Sequence, residues 1–280
     1  MFASVEIFNV ENGESHIVLE TDTHVEAPNW TSDGKALILN GEGRLYRLEL
    51  DAPTLQLIDT GDLERLNNDH GISPDGQTIV VSDSPRRGTS IIYTLPVEGG
   101  TPDRVTEHAP SWWHGWSPDG AILAYTCVRN KQFGVAVCPA KGGFETVLIS
   151  SPHHYDGPDY TPDGEWIWFN SDRSGCMDLW RMRADGGNPE RMTQGDSVDW
   201  FPHPSPDGKH VCYLAYPAGT TGHPFGRDVE LRLIPSAGGT PRTLLGLFGG
   251  QGTINVPSWA PDSRSFAFVR YSASRSYGLN

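Results

Sequence analysis

The sequence is poor in features on which several classes of protein depend. It has only four cysteines, none in a Cys-x-x-Cys spacing, which excludes a disulfide-stabilised scaffold. It has no apolar run of the roughly 18 residues that a transmembrane helix requires. Positive charge is also scarce, since 21 Lys and Arg stand against 35 Asp and Glu, and a net charge of −14 argues against a nucleic-acid surface. The N-terminal residues show no basic stretch followed by an apolar one, so we expect no signal peptide.

What the sequence does contain is a five-residue pattern, close to Trp-Ser-Pro-Asp-Gly, that occurs six times. Pro, Asp and Gly in this order are typical of a tight turn, in which the aspartate bonds the backbone N–H groups that follow. The turn aspartates recur mostly at intervals of 44 residues, which is the length of a four-stranded propeller blade. They are Asp33, Asp75, Asp119, Asp163, Asp207 and Asp262. Each copy is followed by β-type runs, so we expect this turn between the first two strands of a blade, A and B.

The strand count predicts an all-β fold, a six-bladed β-propeller with four antiparallel strands per blade. Only 18 residues follow Asp262, enough for strand B of the last blade, whereas an unused hairpin precedes the first turn. We expect this N-terminal hairpin to supply strands C and D, a two-plus-two closure that leaves no open sheet edge. The prediction is a single domain over residues 1–280, with blades at about 24–65, 66–108, 109–151, 152–195, 196–250 and 251–280 plus 1–23.

The fourth repeat resembles a known family most fully. From Asp159 to Thr193 it contains Tyr-Thr-Pro-Asp-Gly, a strand, Ser-Asp-Arg-Ser-Gly, Asp-Leu-Trp-Arg-Met, Gly-Gly and Arg-Met-Thr. This order is similar to the TolB-type propeller repeat, which is also found in the propellers of prolyl-oligopeptidase-like enzymes. The resemblance covers essentially the whole chain and implies the propeller fold. From these 280 residues we expect neither the N-terminal α/β domain of TolB nor the α/β-hydrolase domain of the peptidases.

Candidate binding residues are found by comparing equivalent positions of strand A, because this strand lines the central channel of a propeller. No compact catalytic motif such as Gly-x-Ser-x-Gly, His-Glu-x-x-His or a P-loop is present. Positions seven, five and four residues before the turn aspartates concentrate acids, amides, histidine and tryptophan. Together with a histidine from the loop that precedes blade four, the candidates are Glu26, Asn29, His70, His114, His154, Asp156, Asp159, His203 and Asn255.

Two interpretations of the channel histidines remain open. His70, His114 and His203 with Asp159 offer nitrogen and oxygen ligands suited to a divalent metal such as Mn, Zn or Ni. A similar histidine-rich channel occurs in the oligogalacturonate lyase family, which has the same type of repeat. The alternative is that these histidines form hydrogen bonds between neighbouring blades. Trp112, Trp113, Trp116 and Trp200 likewise either pack between blades or stack on sugar rings.

An insertion also points to the channel mouth. The interval from Asp207 to Asp262 is 55 residues, and the excess lies between strands B and C, from Tyr216 to Asp228. Because B–C loops emerge on the same rim as the D–A connections, we expect this loop to overhang the mouth where the cluster from His153 to Asp156 begins. Elaborated loops on a rigid scaffold favour binding residues, but a Gly/Pro-rich insertion is also the least costly place to add length.

These observations favour a non-catalytic scaffold, without a cofactor, that binds a protein or peptide segment or a small polar ligand at the channel mouth. The alternative is a metal-dependent lyase or hydrolase that acts on a carbohydrate, with a divalent metal ion in the channel. We expect neither nucleic-acid binding nor membrane insertion. The absence of a signal peptide favours the cytoplasm, whereas the TolB resemblance favours the periplasm.

Overall fold

The computed structural model describes residues 1–273, and every regular element in them is a β-strand. The chain starts with a hairpin of β1 (Phe2–Asn9) and β2 (Ser15–Thr21). Five four-stranded sheets follow, each with strands A to D in chain order, and the last strand, β23 (Ser265–Ser272), joins the first hairpin. The first sheet consists of β3 (Glu26–Trp30), β4 (Ala36–Gly41), β5 (Arg44–Glu49) and β6 (Leu55–Ile58). The second consists of β7 (Leu66–Ile72), β8 (Thr78–Asp83), β9 (Ile91–Pro96) and β10 (Asp103–Arg104), and the third of β11 (Ser111–Trp116), β12 (Ile122–Arg129), β13 (Gln132–Pro139) and β14 (Thr146–Ser150). The fourth consists of β15 (Tyr155–Tyr160), β16 (Trp166–Ser171), β17 (Asp178–Arg183) and β18 (Glu190–Arg191), and the fifth of β19 (Val198–Pro204), β20 (His210–Tyr216), β21 (Phe225–Pro235) and β22 (Arg242–Gly250).

These sheets are the blades of a six-bladed propeller, which confirms the predicted fold. Within residues 1–273 there is accordingly no helix with the length and apolarity to cross a membrane.

The N-terminal hairpin closes the ring as predicted. Strand β1 pairs antiparallel with β23 from Phe2 opposite Ser272 to Asn9 opposite Ser265, and β2 pairs with the outer edge of β1. The buried carboxylate of Glu6 on β1 accepts hydrogen bonds from Arg270 Nε at 2.7 Å and Nη2 at 3.3 Å. A charge-assisted bidentate pair therefore reinforces the backbone ladder that joins the two ends of the described chain.

The innermost strand of blade six is incomplete, in contrast to the expected four strands. A single bridge, Trp259 to Phe266, replaces the A–B ladder. Asn255 Oδ1 accepts the Gly252 N–H at 2.6 Å, and the Thr253 N–H donates to Gly250 O at 3.0 Å. This local turn uses backbone groups that a ladder requires, so the segment pairs with β23 only at isolated points, such as the bond from the Ala267 N–H to Ser258 O at 2.9 Å.

The A–B turns have the geometry that the repeated motif predicts. In blade three, Ser117 Oγ donates to Asp119 Oδ1 at 2.6 Å, and the same oxygen accepts the Ala121 N–H at 3.0 Å. Gly120 completes the turn with φ +70°. The hydroxyl of Ser117, followed by the backbone bond, holds the pKa of Asp119 below its ordinary value. Four other turns repeat both bonds with Ser or Thr at the first position, so the repeated aspartates are structural.

The hydrophobic core lies between adjacent blades. Trp113 of β11 is fully buried and its ring covers Gly71 of β7, where an added Cβ would lie 2.1 Å from the ring atom Cη2. Trp200 is also buried, within a cluster that joins blades five and six. Packing between blades is therefore the role of these two tryptophans.

We expect Gly120→Ala to lower the free energy of unfolding by about 1–2 kcal/mol, because an L side chain is strained at this positive φ. Urea denaturation followed by tryptophan fluorescence measures the loss. The control is Gly246→Ala in the extended strand β22, where the nearest atom to an added Cβ is Val229 O at 3.9 Å. A change within about 0.5 kcal/mol is expected there, and equal losses in both variants would contradict the turn argument.

We expect Glu6→Ala to destabilise the closed ring by about 1.5–3 kcal/mol, because the Arg270 guanidinium then loses a buried, charged hydrogen-bond partner. The control on the same blade is Glu11→Ala, since Glu11 and Arg264 are 3.7 Å apart and both about two-thirds exposed. Its effect should stay below about 1 kcal/mol. Thermal melts of the two variants compare their stabilities directly. Similar decreases in melting temperature would contradict the prediction that the Glu6–Arg270 pair stabilises ring closure.

Candidate functional site at the channel mouth

A β-bulge in each inner strand of blades one to five shapes the channel mouth. The register between strands A and B shifts in all five, for example between Asp156 and Asp159 in blade four. At the equivalent position of blade five, Phe201 has φ +55° and its N–H is accepted by Asn170 Oδ1 of the preceding blade at 3.0 Å. Bulges re-aim side chains, so consecutive residues of strand A can face the same side.

Four of the predicted residues connect blades rather than line a cavity. His70 Nε2 lies 3.2 Å from Ile38 O of blade one. His203 Nε2 lies 2.6 Å from Ile254 O of blade six, and its Nδ1 lies 3.3 Å from Asp159 Oδ2 of blade four. Asn29 donates to Pro257 O at 2.6 Å and accepts the Ile72 N–H at 2.9 Å. For Asn29, His70, Asp159 and His203 these contacts match the bridging interpretation.

Four other predicted residues, His114, His154, Asp156 and Asn255, lie together around a cavity of about 370 Å³, which we call the mouth cavity. Its remaining lining consists of polar and aromatic side chains from blades two, three, five and six. They are Asn67, Asn68, Asp69, Ser84, Trp112, Thr126, Phe133, Phe201, His223 and Gln251. Glu26, the last of the predicted residues, is not part of this lining and pairs with His24, with 2.9 Å between His24 Nε2 and Glu26 Oε1.

Asp156 is the centre of an imidazole cluster in the mouth cavity. Its Oδ1 lies 3.0 Å from His114 Nε2 and accepts a hydrogen bond from Thr126 Oγ1 at 2.8 Å. Its Oδ2 lies 3.5 Å from His154 Nε2 and 3.8 Å from His223 Nε2. Three imidazoles from three different blades therefore surround one carboxylate.

The electrostatics of this cluster follow from burial and pairing. Burial alone would raise the pKa of Asp156, but the hydrogen bonds from His114 and His154 outweigh it and hold the pKa well below the usual range. Burial would likewise lower the pKa of His114, and its bond to Asp156 reverses the direction. His223 has no such close bond, and burial lowers its pKa. Asp156 is thus a stable anion, matched by His114.

Asp69 is the second carboxyl group of the cavity and has a different environment. It is 6% exposed, and its backbone N–H donates to Asn67 Oδ1 at 3.1 Å. In the part of the chain that the structure describes, no Lys, Arg or His forms an ion pair with it, and no Lys or Arg lines the cavity. Burial raises the pKa of Asp69 to about 7, only partly offset by the nearby His114.

The insertion of blade five reaches the mouth cavity, as the sequence predicts. It runs between β20 and β21, and Tyr216 Oη donates to Pro224 O at 3.1 Å near its end. The His223 ring contacts Trp200 edge-on at 4.4 Å and Phe201 at 5.1 Å between ring centroids. The loop therefore places an imidazole over the Asp156 cluster. His153 points elsewhere, with a half-exposed side chain 3.5 Å from Asp172.

Three residues of the cavity lining are not among those predicted from the sequence: Asp69, Phe201 and His223. Asp69 and Phe201 stand six residues before their turn aspartates, a position that faces away from positions five and seven in a regular strand. Only the bulge brings it into the cavity lining. His223 lies in the insertion revealed by the long interval between Asp207 and Asp262. Its position in that loop is the sequence feature that could have identified it as a site residue.

The residues considered as metal ligands do not come together as a ligand set within residues 1–273. There, no group of three or more His, Cys, Asp and Glu side chains has an arrangement that could hold a metal ion. His70 and His203 direct ring nitrogens to backbone carbonyls of neighbouring blades, and His114 directs one to Asp156.

A closed ring of six β-blades with Ser-Pro-Asp-Gly turns defines a propeller of the TolB type. The family model described as "TolB beta propeller domain" matches residues 108–230. The chain belongs to the TolB-like β-propeller family.

Relatives agree with this assignment over most of the chain. An uncharacterized protein of Agrobacterium fabrum, Atu1656, is 48% identical over 272 residues, covering 97% of this chain and 93% of the relative. A solved structure from Agrobacterium tumefaciens, also 48% identical, superimposes with a TM-score of 0.95 and covers 98% of this chain and 99% of its own. The Tol-Pal system protein TolB of Francisella tularensis subsp. mediasiatica is 26% identical over 91% of this chain, which spans only 59% of that relative.

We expect His203→Ala to lower the free energy of unfolding by about 2–4 kcal/mol, because the variant loses two buried contacts between blades and leaves a cavity. Chemical denaturation measures the loss, and His153→Ala is the control of the same residue type with a half-exposed side chain. If the two variants were equally stable, the bridging role of His203 would be wrong.

Proposed function

We propose that this propeller is a non-catalytic recognition scaffold that binds a peptide segment of a partner protein at the mouth cavity. The observation that carries the proposal is the composition of this cavity: two carboxyl groups, three imidazoles and several amides beside the rings of Trp112, Phe133 and Phe201. Aromatic rings beside a few directional polar groups are what binding hot spots require. A rigid β-scaffold lets such groups bind without a large cost of ordering.

The shape of the aromatic surface favours a segment of polypeptide over a compact molecule. On one side, Trp112, Phe133 and His154 form a continuous row, with ring centroids 6.4 Å and 4.1 Å apart. A second group follows the end of the insertion, where Phe225 contacts His24 at 5.2 Å and Tyr271 at 4.8 Å. Phe225 is 39% exposed, so apolar surface is available outside the cavity as well as in it. We therefore expect an extended segment to contact aromatic rings inside the cavity and outside it.

The protein's charge supports the same proposal. The cavity has acidic and imidazole groups without Lys or Arg in its described lining, and the chain has a net charge of −14. Long-range attraction would therefore increase the association rate of a cationic or polar segment more than that of an acidic one.

The test is selection of linear peptides from a random display library on the immobilised protein, followed by calorimetric titration of the enriched peptides. We expect Trp112→Ala to weaken binding by about 30-fold, the typical effect of removing a hot-spot ring. Trp180→Ala is the matched control, because Trp180 lies on strand C of blade four under the Arg173 guanidinium and not at the mouth. No enrichment, or equal affinity of wild type and Trp112→Ala, would overturn the proposed function. Binding that requires added Mn²⁺ or Zn²⁺ would favour the metal-dependent alternative instead.

A further inference from the structure

The described residues place no Lys, Arg or His within ion-pair distance of Asp69. Asp156 is matched by His114 at 3.0 Å, whereas Asp69, which is 6% exposed, has no such partner. An isolated ionised carboxylate away from water is costly, and a nearby cation removes that cost. The arrangement therefore favours a ligand that brings a positive charge to Asp69.

A second, independent feature is a set of carboxamide groups in the same lining. The side chains of Asn68 on blade two and Gln251 on blade six line the cavity together with Asp69. A carboxamide oxygen accepts N–H donors. His114 is not such an acceptor, because its Nε2 faces Asp156 and this contact raises its pKa, which favours an imidazolium with donors at both ring nitrogens. The cavity therefore combines a carboxylate that has no ion-pair partner among the described residues with carboxamide oxygens from two blades.

We propose that the mouth cavity binds a primary ammonium group, with Asp69 as its counter-ion and the side-chain carboxamide oxygens of Asn68 and Gln251 as further acceptors. The inference rests on the proposed function, because the ammonium group is then the amino terminus or a lysine side chain of the bound segment. A primary ammonium group is compact and carries three N–H donors in different directions. This fits acceptors on two different blades better than a planar guanidinium, whose donors match the two oxygens of a single carboxylate.

The aromatic lining supplies a complementary surface. Phe201 lies 6.1 Å from His114 between ring centroids and forms part of the same cavity wall. A cation near an aromatic face is stabilised further when both are shielded from water. The ring also provides apolar contact for the methylene groups next to the charged nitrogen.

The first test uses n-propylammonium chloride as the probe, titrated calorimetrically at about pH 8 and constant ionic strength. We expect saturable binding that is at least tenfold tighter than that of tetramethylammonium, which has the charge but no N–H donor. Asp69→Asn should weaken binding of n-propylammonium at least tenfold. The control Asp51→Asn, at an exposed acid in the turn between β5 and β6 and outside the cavity lining, should leave it unchanged.

Folding of the variants is measured separately. Because Asp69→Asn removes a buried carboxyl that has no ion-pair partner, its melting temperature should equal or exceed that of the wild type. A stable Asp69→Asn protein that binds n-propylammonium as tightly as the wild type would overturn the inference. Equal binding of n-propylammonium, tetramethylammonium and guanidinium would overturn it too.

The second test distinguishes the source of the ammonium group and separates this inference from the proposed function. Peptides enriched on the protein are compared with versions that carry an acetylated amino terminus or norleucine in place of lysine. A tenfold loss on acetylation identifies a chain end, and a tenfold loss with norleucine identifies a lysine. If neither change weakens peptides whose binding still depends on Trp112, the ammonium inference is wrong while the proposed function stands. If no peptide is enriched but n-propylammonium binds through Asp69, the proposed function fails and the ammonium site remains.

Discussion

The geometry of this protein depends on hydrogen bonds that cross from one blade to the next at the innermost strands. Backbone polar groups there are buried and must be satisfied, and the ladder within a blade is interrupted by the bulge. Side chains of adjacent blades supply the missing partners: His203 reaches Ile254 O, and Asn170 caps the N–H of Phe201. Because these bonds fix each blade against its neighbour, they also fix the size of the space that remains on the axis.

The same constraint explains why the channel residues divide into two groups. Asn29 and His70 in the second half of strand A bond to neighbouring blades and are unavailable to a ligand. His114, at the position equivalent to His70, is the exception, because it bonds to Asp156 in the cavity. Residues at and before the bulge, such as Asp69 and Asp156, reach the widened mouth. The cavity thus lies at the end of the channel where some polar groups of strand A form no bonds between blades and remain available to a ligand.

Much of the architecture could be predicted from the sequence because it is encoded locally. Each turn motif combines a hydroxyl, an aspartate and a glycine whose bonding is complete within five or six residues, as at Ser117, Asp119 and Gly120. Closure by the N-terminal hairpin followed from counting strands. The site was only partly predictable, since its geometry depends on a bulge that no local motif marks. Asp69 and Phe201 stand at a strand position that the comparison of repeats does not single out, and the incomplete inner strand of blade six reflects a local turn at Gly252 and Asn255.

Closure by β1 and β23 has a consequence for the order of folding. These two strands are about 260 residues apart in the chain, so their pairing has the longest loop to close of any ladder in the described residues. Until it forms, both present unpaired edges on which other chains can add. Gln251 and Asn255 of blade six reach the cavity beside Asn67 of blade two only in the closed ring. Binding at the mouth therefore depends on ring closure, and an occupant of the cavity stabilises the closed ring against opening between β1 and β23.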